Sequence, residues 1–117
     1  MFSASTTKSV AFGLAAFFLG LDTASAGAQT GQITALRVRS TDGLIIVEMS
    51  GPASAKPACA GFPYWLIADE KSNAGKQQLA LLMAAQAGGK TVTIDGTGAC
   101  TRWPDGETIG MVTVHPN

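Results

Sequence analysis

Residues Lys76–Asp95 read KQQLALLMAAQAGGKTVTID, and this stretch decides the fold because its period changes partway along. Lys76 to Ala87 is made almost wholly of strong helix formers. Gly88-Gly89 stops the helix, since glycine takes the left-handed C-cap conformation without penalty. Lys90 to Asp95 (KTVTID) then alternates β-branched and polar residues, as a strand does. Ahead of the helix, Asp69 to Gly75 is polar, and Ser72 or Asn73 is placed to cap it.

Outward from this unit, the other elements are strands and turns. Tyr64 to Ala68 (YWLIA) reads as a short strand. Ser50 to Pro63 (SGPASAKPACAGFP) reads as a loop, broken by prolines and glycines. Leu44 to Met49 (LIIVEM) fits a central strand, and Gln32 to Arg39 (QITALRVR) an earlier one. Between them, Ser40 to Gly43 ends in Asp-Gly, a strong hairpin signal. Gly27 to Gly31 (GAQTG) reads as a loose leader. Downstream, Asp95 to Gly106 (DGTGACTRWPDG) is turn-rich, Glu107 to Val114 (ETIGMVTV) is the last strand, and His115 to Asn117 is a tail. The order β-β-β-α-β-β predicts a mainly β chain with one helix. It matches the OB-fold, a five-stranded Greek-key barrel.

The helix is apolar all round. Leu79, Leu82 and Met83 form one stripe, while Ala80, Leu81 and Ala84 cover the other side. A helix on a single core shows one stripe. Either it is deeply buried, or Leu79, Leu81, Leu82 and Met83 include residues that meet a second copy of the chain.

The N-terminus predicts export. A short polar start with Lys8 precedes the apolar run Val10 to Leu21, which is too short for a membrane-spanning helix. Ala24-Ser25-Ala26 supplies the A-x-A exit of a secretory signal peptide, with cleavage after Ala26. The expectation is one domain from Gly27 to Asn117, secreted or periplasmic, with no membrane span in the mature chain. In such a compartment the chain's two cysteines are expected to pair, Cys59 with Cys100. Closing that loop is worth about 4 kcal/mol in the chain-entropy picture.

Charge and motifs exclude several function classes. Eight basic residues balance eight acidic ones, and no basic cluster suits a nucleic-acid backbone. The chain has no nucleophile elbow, P-loop or zincin motif. Its single histidine, His115, lies in the tail, and two Cys with one His do not complete a zinc site. No cofactor and no metal are expected. Asp95, Asp105 and Glu107 could cluster as an acid pair for glycoside hydrolysis, but turn acids commonly cap and solubilise. The large rings point instead to binding. Trp65 reads as core or as a contact residue. Trp103, beside Arg102, either packs over the disulfide or stands exposed to stack on a sugar or a partner side chain.

Taken together, Cys59, Trp65, the run LALLMAAQAGGKTVTIDGTGAC (Leu79–Cys100) and Glu107-Thr-Ile109 resemble small secreted OB-fold proteins. These are related to the receptor-binding B subunits of subtilase-type and typhoid-type bacterial toxins, and the resemblance spans Gln32 to Val114. It implies rings of five with helices lining a channel, and sialylated glycans as ligands. The expected function is therefore a non-catalytic binding module for a glycan or protein, able to form a homo-oligomer. Two alternatives stand beside it: a small secreted enzyme acting on cell-wall or sugar material, and a periplasmic inhibitor or structural protein.

Overall fold

A computed structural model describes residues 25–117. Apart from Ser25 and Ala26, the predicted signal peptide lies outside the described residues. The chain forms β1 (Ala28–Gly31), β2 (Ile33–Val38), β3 (Ile45–Met49), β4 (Ala53–Ser54), β5 (Trp65–Leu66), α1 (Asn73–Gly88), β6 (Val92–Gly96) and β7 (Glu107–Val114). The seven strands make one curled, half-barrel sheet in the order β2-β3-β5-β7-β6-β1-β4. The described residues are thus mainly β with a single helix, and their sheet has seven strands where five were expected.

Two of the extra pairings come from segments that read as loops. GAQTG is a strand, not a loose leader: β1 pairs antiparallel with β6, Ala28 opposite Asp95 and Gly31 opposite Val92. What overrides its glycine-flanked, polar composition is Gln29. Its side chain is buried, and Nε2 donates to the carbonyls of Met49, Ser50 and Gly51, at 2.6 Å to the last. Within Ser50–Pro63, the two-residue β4 pairs with the other edge of β1.

The hairpin between β2 and β3 forms where Asp42-Gly43 places it. Gly43 has φ +77°, and Asp42 Oδ1 accepts the N–H of Leu44 at 3.2 Å. β7 joins the two halves of the sheet. Glu107 and Thr108 run parallel to β5, while Ile109 to Val114 run antiparallel to β6. An irregularity at Gly110 changes the phase of β7, so Ile109 before it and Val112 and Val114 after it all pack on the core.

The helix begins where Ser72 Oγ accepts the N–H of Gly75 at 3.0 Å. It ends at Gly89, φ +62°, with Lys90 N–H returning to Ala85 O at 2.9 Å. Gly75 packs against the backbone of Asp69, so a side chain there would collide. One stripe faces the sheet: Leu82 and Ala85 are buried, and Leu79 packs beside them. Met83 does not share that stripe. It is 55% exposed, as Leu81 is 45% exposed, because the helix covers only one side of the sheet. Deep burial on all sides does not occur within the single chain.

Candidate functional site

The disulfide between Cys59 and Cys100 is formed, with the two Cα atoms 6.2 Å apart. It ties the loop before β5 to the loop before β7, and each loop carries an aromatic residue outward. From the first comes Phe62, 53% exposed. Its ring lies parallel to that of Tyr64, with centroids 5.6 Å apart. From the second comes Trp103, 36% exposed, with the Arg39 guanidinium 4.2 Å from its ring centroid. This is a cation–π contact. Asp105 joins the two loops: its carbonyl accepts the N–H of Phe62 at 3.1 Å, and its carboxylate accepts the Tyr64 hydroxyl at 2.5 Å. Burial first, and the hydrogen bond to Asp105 second, push the Tyr64 phenol up to about 12.

Arginines and acids lock this surface together. Asp42, at the hairpin turn, takes both Nε and Nη2 of Arg39 in a two-pronged grip at 2.9 and 2.6 Å. That grip holds the Asp42 carboxyl well below the ordinary carboxylate range. Arg102 does the same with Glu70, at 3.1 Å on both prongs, and its Nη2 also reaches Asp42 O at 3.1 Å. The hydrogen bond to Arg102 lowers the Glu70 carboxyl and raises the Arg102 guanidinium. The β2–β3 hairpin, the start of α1 and the Trp103 loop are thereby clamped into one face.

The structure distributes the sequence-derived candidates clearly. Trp103 stands half open on the clamped face, and its neighbour Arg102 is engaged in the clamp. Trp65 is wholly buried, its Nε1–H donating to Gln29 Oε1 at 2.8 Å, so it is core and presents no surface. Leu82 is core, Leu79 is part-buried, and Leu81 and Met83 are outside. Asp95, Asp105 and Glu107 sit in three different settings: Asp95 is exposed opposite Met111, Asp105 holds Tyr64, and Glu107 is fully buried. Among the described residues, no group of three His, Cys, Asp or Glu comes together to hold a metal, and no helix is long and apolar enough to cross a membrane.

Arg39 and the burial of Glu107 are not signalled by the sequence. Arg39 closes a strand pattern, and Phe62, one of the large rings, sits in a proline-rich loop, so neither carries a spacing signal. Their roles come from contacts far along the chain. Comparison with known protein families, curated proteins and solved structures finds no match.

Proposed function

We propose that the chain is an exported, non-catalytic binding module whose contact surface is the disulfide-stapled face carrying Trp103, Arg39, Phe62 and Tyr64. The observation that supports this reading is a set of exposed rings held rigid without any core role. Trp103 is braced by Arg39 and Phe62 by Tyr64, and the loops behind both are crosslinked. Rigid aromatic faces with polar tips suit the apolar face of a sugar ring, and they lose little conformational freedom on binding. The ligand class proposed first is therefore a glycan, with a protein side chain as the other occupant of the same surface. Oxidised cysteines and the predicted leader support a secreted or periplasmic location.

The OB-type reading belongs to the same proposal. Once the short β1 and β4 are set aside, the remaining elements run β-β-β-α-β-β, and the sheet curls. A toxin-subunit-like oligomer would use the outer face of α1. There Leu81 and Met83 flank exposed Ala80 and Ala84.

Glycan arrays and light scattering test the proposal together. Wild-type protein is expected to bind a restricted glycan set, and Trp103→Ala to lose at least about tenfold in affinity with its melting curve unchanged. Blank arrays would remove the glycan class. Blank arrays with a strict monomer would remove the toxin-subunit version altogether.

A further inference from the structure

Glu107 opens β7 fully buried, yet one of its carboxylate oxygens has nothing to bond. Oε2 accepts the N–H of Gly27 at 3.0 Å and that of Gly98 at 2.9 Å. Oε1 is, among the described residues, the one buried side-chain nitrogen or oxygen with no hydrogen-bond partner. Buried polar atoms are paired almost without exception, so this orphan asks for a donor.

Gly27 lies directly against it. A Cβ on Gly27 would stand 2.6 Å from Oε1 and 2.9 Å from the Lys56 stem, and a Cβ on Gly96 would collide with Oε2. Glycines thus let the main chain approach both oxygens. The charged side chain facing this cradle is Lys56. Its ammonium feels the Glu107 carboxylate but does not hydrogen-bond it, donating instead to Tyr64 O at 3.1 Å and lying 3.9 Å from the Trp65 ring centroid.

The bond joining Gly27 to Ala26 is also the one that Ala24-Ser25-Ala26 marks for cleavage. We propose that hydrolysis of the Ala26–Gly27 bond creates the missing donor: the freed α-ammonium of Gly27 pairs with the buried Glu107 carboxylate. Water adds across the peptide bond under a leader peptidase. Its oxygen leaves with Ala26 as a carboxylate, and both its hydrogens go to the Gly27 nitrogen. An amide with one N–H becomes an ammonium with three. One proton keeps the bond to Oε2, and a second is free to reach Oε1 across a gap the glycine leaves open. Removal of the leader thereby completes the core polar network, and the mature terminus becomes part of the fold. This rests on the export half of the function proposed above and is independent of any ligand.

The experiment uses the full chain, exported and recovered after processing. Intact mass and terminal sequencing should find Gly27 first. A chain cut at any other bond overturns the proposal while leaving export standing; an uncut chain overturns the proposal and removes support for export as well. On the Gly27-initiated protein, a reagent selective for α-amines near neutral pH should label the terminus at least about tenfold more slowly in the folded state than in urea. A second form begins at Ala26, which restores the amide at Gly27. Its unfolding equilibrium constant should rise about tenfold in the wild-type background but by less than about twofold when Glu107→Gln is also present. Equal effects in both backgrounds overturn the ion pair while leaving export standing. If Glu107→Gln does not fold, the labelling rate decides alone: a terminus as reactive in the folded state as in urea overturns the proposal.

Discussion

Replacing Cys59 and Cys100 together by alanine removes the one covalent link between the two loops of the aromatic face. The residues it joins are 41 apart in sequence. In the chain-entropy picture, closing a loop of that length lowers the entropy of the unfolded chain by about 13 cal/mol/K, or about 4 kcal/mol at room temperature. A domain of this kind has roughly 5–15 kcal/mol in total. The double variant should therefore lose about a quarter or more of its stability, and its melting temperature should fall by about 15–30 °C. Urea unfolding followed by circular dichroism measures the loss directly. The slope against urea should also steepen, because the uncrosslinked chain exposes more surface when it unfolds. A variant already unfolded without urea agrees with the prediction, since its loss then exceeds the whole wild-type stability. A loss below about 1 kcal/mol would refute the reasoning, and would mean that the unfolded chain keeps these loops together without the bridge.

Leu82→Ala should cost about 2–5 kcal/mol in urea unfolding, because Leu82 is wholly buried where α1 meets the sheet; a cost like that of an exposed alanine substitution would mean that the helix is not anchored there. Tyr64 is the only tyrosine in the chain, so its tyrosinate absorbance can be followed without overlap from others. It should titrate at about 12 and, in Asp105→Asn, move down toward the ordinary ~10. Because the folded phenol lies above its unfolded value, its contribution to stability is intact below about pH 10 and is lost as pH climbs toward 12.

Much of the fold is legible because local chemistry and tertiary contacts agree. ETIGMVTV forms a strand with the bounds its composition implies, and the helix stops at the glycine pair. GAQTG reads as a loose leader because two glycines bracket it and it has no apolar alternation. Only burial of Gln29 against carbonyls some twenty residues away makes the segment a strand. The Cys59–Cys100 pairing followed from compartment and count. Trp65 was recognised as an aromatic in a strand, but its partner Gln29 was not, since a buried glutamine looks like any other in sequence. The burial of Glu107 is hidden for the same reason. An acid that opens a strand after Pro-Asp-Gly reads as solvent-facing until Gly27, eighty residues earlier, is seen against it.

The pairing of β1 bears on the order in which the sheet can assemble. Any chain that emerges N-terminus first presents β1 early, yet its main partner is β6, more than sixty residues later, and Glu107 follows later still. The first strand to appear is therefore among the last to be seated, since long-range pairings wait for the intervening chain. Until β6 and β7 arrive, Gly27 lacks the partners that bury it in the folded chain. A cut between Ala26 and Gly27, as proposed above, would therefore have to precede closure of the sheet, which buries Gly27.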